Sequence, residues 1–360
     1  MSFHEILIWV MAGFAVLGAI DRVFGNRWGL GKEFEEGILA MGSLALAMVG
    51  IVCLAPVLAD VLKPVVVPVF GMLGADPAMF AGTILACDMG GGALAMEMTD
   101  NTQAALLGGV LTGSMLGATL VFTLPVAMGI LQESDRGYLA KGILCGIVTV
   151  PLGVLAGGLT AGFPVGMVLR NLVPIVLIAV LIALGLWKAE GAMVRGFGLF
   201  GKTVVILVTA GLASAVVEAL TGYAVIPGMA PISEGFETVG TIAIILAGAF
   251  PLVFVLTKLL RRPLMAVGKG LGINDTAAAG LIASLANSIA TFGLLKDMNV
   301  RGKVVNIAFA VSAAFVFGDH LGFTAGFAPE MLMPMIVGKL VGGISAVAVA
   351  LWLTRSEDKL

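Results

Sequence analysis

The sequence predicts an all-α polytopic membrane protein, an inverted structural repeat of about five elements per half with nine full spans and two re-entrant or broken helices. Three observations predict it. Apolar residues make up 59% of the 360, charged residues 12%, and mean hydropathy is +1.10, more than a soluble domain of this length needs to close its core. The lysines and arginines sort to one side of a membrane under one arrangement of the spans. The chain also matches itself, ungapped, at a shift of 198 residues.

In order, apolar runs of about 20 residues, the length that crosses a bilayer, lie near 5–23, 39–59, 104–130, 139–161, 170–187, 203–222, 239–258, 303–325 and 332–353. Residues 1–5 lack the basic n-region of a signal peptide and lead straight into the first run, which is expected to remain as a span. Two further runs, 78–98 and 276–296, are interrupted at their middles by glycine or polar residues. Each follows a semi-polar segment, 63–74 and 262–272, suited to lying along the interface. If all eleven runs cross, the basic residues fall on both sides. If 78–98 and 276–296 enter and return on one side, seventeen of the twenty lie inside, Lys63 and Arg170 lie outside, and Lys339 sits within the last span. Positive-inside bias favours this arrangement, with the N-terminus outside and the C-terminus inside.

The shift sets residues 42–98 on 240–296 with 13 identities in 57 positions, including Gly42 on Gly240, Gly50 on Gly248, Leu73-Gly74 on Leu271-Gly272 and Ala81-Gly82 on Ala279-Gly280. Weak internal symmetry of this kind marks transporter repeats. Five crossings separate the starts of the two copies, and an odd number inverts the second. The expected organisation is a first repeat over 1–169, a linking span over 170–200 and a second, inverted repeat over 201–360.

Asp88, beside Gly90-Gly91-Gly92 in the first interrupted run, is the leading candidate for chemistry. A carboxylate at membrane depth costs about 2.5–3.5 kcal/mol on insertion scales, and such groups face a cavity or a polar partner. Glycines at Gly90 and beyond let the helix unwind and free backbone carbonyls, so acid and carbonyls together suit a cation. The alternative is that Asp88 caps the second half-helix. In the second copy Asn287, Ser284 and Thr291 offer neutral donors and acceptors, for a ligand or as interhelical glue. Asp319-His320 is a second ionisable pair, fit for proton relay or for a buried structural bond. Glu35 and Glu36 before the second span, and Glu97 and Asn101 at the outer end of the first hairpin, suit a charged entrance or gate, or simply a helix dipole and a solvated loop.

Other chemistries find no support. Cys53, Cys87 and Cys145 are odd in number, lie in apolar runs and lack metal-ligand spacing. No nucleophile with base, phosphate loop or dinucleotide fingerprint occurs, so neither enzyme activity nor a cofactor is expected. A net charge of -2, with basic residues confined between spans, gives no nucleic-acid surface. The spacings Gly109-x3-Gly113-x3-Gly117 and Gly338-x3-Gly342 pack helices, within the chain or between copies in a homo-oligomer.

Phe34-Glu35-Glu36-Gly37, Phe80-Ala81-Gly82-Thr83 with Ala86-Cys87-Asp88-Met89-Gly90-Gly91, Ser134-Asp135-Arg136, Ala278-Ala279-Gly280 and Gly318-Asp319-His320-Leu321-Gly322-Phe323 together resemble the bacterial ethanolamine-utilisation transporter (ethanolamine permease) family. The resemblance runs from Asp21-Arg22 to Gly338-Lys339; the tail after Trp352 and the loops near 162–170 and 222–236 are shorter than in the family. It implies ethanolamine uptake across the bacterial cytoplasmic (inner) membrane, as a permease or facilitator. A selective channel for small amines or ammonium, and an ion-coupled carrier of another small amino compound, stay open as alternatives. Family resemblance does not say which residues bind the substrate.

Overall fold

The computed structural model describes residues 3–355, without the side chains of residues 3, 190, 194, 260, 264 and 269, and every regular element among the described residues is helical. Lys359 and the Lys269 side chain, both counted inside above, lie outside that description. Helix α1 (Phe3–Val23) turns into α2 (Leu30–Met72) through a loop with left-handed Gly25, Asn26 and Gly29. Asp21 closes that loop, its carboxylate accepting from the backbone N–H groups of Trp28 and Gly31, each at 2.9 Å.

Helix α2 has 43 residues. At 1.5 Å per residue it would run about 65 Å if straight, twice the ~30 Å hydrocarbon core. Segment 63–74, expected along the interface, is mostly the continuation of this span, with Pro56, Pro64 and Pro68 inside the helix. Segment 262–272 likewise continues α10 (Ile232–Gly270). Both spans read as ending earlier because charge and proline interrupt the apolar run, whereas the backbone carries the helix past the interruption.

The two weak runs are helical hairpins. Helix α3 (Ala78–Ile84) and α4 (Gly92–Met98), seven residues each, pack against one another across a break at residues 85–91. Their ends meet where Thr99 Oγ1 donates to Asp76 Oδ2 at 2.9 Å. The second hairpin, α11 (Asp275–Ala286) and α12 (Ser288–Leu294), closes the same way: Asn274 Nδ2 donates to the Asp297 carbonyl at 2.9 Å, and Asn299 Nδ2 to that of Gly272 at 3.0 Å. A seven-residue helix rises only about 10 Å. Neither run crosses a bilayer as one straight helix.

Between the hairpins run α5 (Thr102–Leu106), π-helical stretches over Leu107–Gly117 and Thr119–Thr123, α6 (Leu124–Ile130), α7 (Arg136–Ile147), α8 (Val150–Thr160) and α9 (Val165–Thr221), the last kinked at Ala189. After the second hairpin come α13 (Val300–Ala313), α14 (Asp319–Phe327) and α15 (Leu332–Leu353). Eight helical stretches among the described residues are long and apolar enough to span, matching eight of the nine expected runs. The ninth, 303–325, is unwound between α13 and α14. Its freed backbone pairs with the second hairpin instead, Phe315 N donating to the Ser284 carbonyl at 3.0 Å and Phe317 N to that of Leu285 at 2.9 Å.

The most enclosed of these eight stretches is 102–130, which holds the first hairpin in place. Cβ atoms at Gly109, Gly113 and Gly117 would strike Ala95, Cys87 and Leu85 of that hairpin, and one at Gly338 would strike Gly153 of α8. These small-residue faces are therefore occupied within the chain.

Candidate functional site

The breaks in both hairpins and in the ninth span converge on one cavity of about 270 Å³, lined by Asp88, Asn287, Asp319, His320 and the rings of Phe122 and Phe315, with Ser43 and Ala47 from α2. The first hairpin reaches it by unwinding. Met89 and Gly90 leave helical geometry, Gly90 at φ +90°, and a side chain at Gly90 would overlap Ile51 of α2. Only glycine meets both demands. Asp88 is thereby presented to the cavity with its side chain 14% exposed; the N-cap of α4 is Gly91, so Asp88 does not cap it.

Asn287 does cap. Its Oδ1 accepts from Ile289 N at 2.7 Å at the start of α12. Because only the oxygen can accept, the amide orientation is set and its two N–H donors remain for other partners. The third break bears Phe315, a non-glycine residue at φ +63°. Such a conformation in a bulky residue is strained and persists where the surroundings enforce it. Here the Phe315 ring packs edge-on to Phe122 at 5.6 Å between centroids and lies 5.2 Å from the His320 ring.

Behind the cavity stands Lys339, fully buried on α15. Its Nζ donates to the Ser114 carbonyl at 2.5 Å and lies 3.0 Å from His320 Nδ1, while His320 Nε2 lies 3.7 Å from Asp88 Oδ1. Sequence reasoning counted Lys339 only as a charge within a span. As an ionisable group at membrane depth, Lys339 meets the same criterion as Asp88. Phe122, Phe315 and the α2 residues gave no signal of their own. Cys87 Sγ, Asp88 and His320 also bring potential ligand atoms within 4.8 Å of one another, a cluster that no spacing shows.

The remaining expected site residues separate. Ser284 and Thr291 are fully buried and bond each other at 2.8 Å, with Thr291 Oγ1 donating on to the Gly280 carbonyl, so they tie the second hairpin together and do not line the Asp88 cavity. Gly90 serves the turn. Glu35 pairs with Arg22 at 3.2 Å on the surface, and Asn101 caps α5 by accepting from Ala104 N. Glu36 lines a cleft of about 580 Å³ together with Glu33, Lys258 and Arg261, and this cleft shares Asn287 and Asp319 with the Asp88 cavity. Glu97 lines a separate cleft of about 410 Å³ with Glu234, which shares no lining residue with the cavity.

The chain matches the family described as "Ethanolamine utilisation protein, EutH" over residues 3–353. It is 60% identical over 359 residues to "Probable ethanolamine permease EutH" of Listeria monocytogenes, covering 100% of this chain and 96% of that one. It is 48% identical, over a 396-residue alignment, to the protein of the same name in Escherichia coli, covering 99% and 97% of the two chains. It is 52% identical to "Uncharacterized protein YxeR" of Bacillus subtilis, covering 99% and 97%. No solved structure matches it.

Proposed function

Given that the chain belongs to the EutH ethanolamine-utilisation family, we propose that it is a permease carrying ethanolamine into the bacterial cell across the cytoplasmic membrane. The observation that carries the reading is the composition of the 270 Å³ cavity, with two carboxylates, Asp88 and Asp319, and the amide of Asn287 converging on one small space. Protonated ethanolamine has a cationic end with donors only and a hydroxyl end. The carboxylates and the faces of Phe122 and Phe315 suit the ammonium, and the free N–H donors of Asn287 suit the hydroxyl oxygen. Reconstituted protein is expected to exchange external labelled ethanolamine for internal unlabelled ethanolamine. Flux without saturation or counterflow would indicate a channel, and no flux would remove the permease reading.

We read the architecture as an inverted repeat with both hairpins pointing to the midplane. Three of the four glycine pairs that coincide within residues 42–98 at the 198-residue shift do the same work in each copy. Gly42 and Gly240 face open space; Gly50 and Gly248 each lie against the backbone of a crossing helix, at Val208 and Met11; Gly74 and Gly272 are left-handed at φ +68° and +72°. Asp76 and Asn274, which tie the hairpin ends, are also a shifted pair. The clefts correspond too, since Glu36, Phe250, Val253 and Phe254 of the larger match Glu234, Val52, Ala55 and Pro56 of the smaller. Inversion places these clefts at opposite membrane faces. The larger, joined to the cavity and bearing Lys258 and Arg261, is the cytoplasmic one, so this is an inward-open state.

Ala283 lines the cytoplasmic cleft, and the native cysteines Cys53, Cys87 and Cys145 are buried. Ala283→Cys is expected to react with a membrane-impermeant maleimide in inside-out vesicles and to stay unlabelled in right-side-out ones. The reverse pattern would overturn the orientation.

A further inference from the structure

We propose that Lys339 is a positioning residue that fixes His320 as the neutral Nε2–H tautomer, with that N–H turned toward the substrate cavity. The inference deepens the permease reading and rests on it for its functional consequence. An ammonium donates three hydrogen bonds and accepts none. The Lys339 Nζ, fully buried, donates to the Ser114 carbonyl. With Lys339 as an ammonium, its approach to 3.0 Å from His320 Nδ1 makes Nδ1 the acceptor. The ring's single proton is left on Nε2, which lies 3.7 Å from Asp88 Oδ1 at the cavity wall.

The arrangement has a use. An imidazolium in the wall would set a second cation against a cationic substrate and draw Asp88 to itself. With Nδ1 already accepting from Lys339, a second ring proton has no place to go, and Asp88 stays available as a counter-charge. The titratable groups facing His320 are Cys87 and Asp88 from the first hairpin, Asp319 on its own helix and Lys339 from α15. Helix α10, packed on α14 at Gly322, presents Ile242 and Leu246 there. Protonation of Asp88 or Asp319 weakens binding with or without Lys339, so the signature is the ratio of variant to wild type.

The chain has only two histidines, His4 and His320, so 15N-histidine NMR on detergent-solubilised wild-type protein, with His4→Gln for assignment, reads the tautomer directly. Proton on Nε2 and none on Nδ1 is expected across neutral pH; an Nδ1–H tautomer or an imidazolium overturns the proposal. Ethanolamine affinity is then compared between about pH 8 and about pH 5.5, the range where histidine titrates. Lys339→Gln is expected to fall about tenfold further than wild type at the acid end, with Lys339→Arg close to wild type and Lys339→Gln/His320→Asn free of the extra fall. A loss equal at every pH, unchanged by His320→Asn, marks a merely structural lysine and overturns the proposal. Should Lys339→Gln fail to fold, the wild-type spectrum decides alone. Wild-type protein that binds no ethanolamine would instead remove the permease reading, leaving the tautomer to be read separately.

Discussion

Asp88→Asn is expected to abolish saturable ethanolamine uptake while leaving the protein folded in the membrane. The substitution keeps the shape of the side chain and most of its hydrogen-bonding capacity, and removes one charge. The Asp88 side chain is 14% exposed, and its nearest basic neighbour, His320, stands 3.7 Å away, too far for a hydrogen bond. Apart from a weak contact from Cys87 Sγ to Oδ1 at 4.0 Å, no hydrogen bond or close ion pair engages the carboxylate among the described residues, and what it offers a bound ammonium is a desolvated ion pair. Truncating one partner of such a pair costs roughly 2–5 kcal/mol, about 30-fold or more in affinity. Folding is spared because Asp88 caps no helix and the turn beneath it depends on Gly90. The measurement is initial uptake rate against substrate concentration, normalised to protein in the membrane. Near-normal uptake would sink the cation-site assignment.

Much of this architecture was legible because the bilayer constrains sequence so strongly. Spanning helices announce themselves by length and hydropathy, and basic residues record the side on which each loop stays. Those two regularities predict that runs 78–98 and 276–296 return, and the structure joins the ends of each through Asp76–Thr99 and Asn274–Asp297. What sequence did not show is local backbone behaviour inside uniformly apolar stretches. Ala314-Phe315-Val316-Phe317 has no polar residue to signal unwinding, and its left-handed Phe315 is imposed by pairing with the second hairpin, more than twenty residues away along the chain. The site divides the same way. Asp88, Asn287, Asp319 and His320, which line the cavity, are singled out in the sequence by asking where polarity is costly. Ser284 and Thr291 satisfy that criterion too, but spend their polarity on each other, and only three-dimensional contact separates polarity kept for a ligand from polarity kept for the fold.

The largest effect on the fold is expected from Gly82→Val. Helix α3 approaches segment 102–130 backbone to backbone, and a Cβ at Gly82 would lie on the carbonyl oxygen of Gly108, with Gly113 N at 2.8 Å. The contact is reciprocal, because a Cβ at Gly108 would meet the Ala78 carbonyl and one at Gly117 the Leu85 carbonyl. A flexible side-chain tip can swing away from an added methyl group, but a helix backbone can retreat only by separating the two elements. Separation would break the packing that fixes the tip of the first hairpin, and Asp88 with it. A cost beyond about 4 kcal/mol, the exceptional end of single substitutions, is expected. The readout is loss of the monodisperse peak in size-exclusion chromatography and loss of membrane-inserted protein. Gly42→Ala, at a helical glycine facing open space, is the control and should be neutral or slightly stabilising. If Gly82→Val accumulated as well as that control, the first hairpin would not be locked onto segment 102–130, and the same backbone contact could not be what holds Asp88 at the cavity.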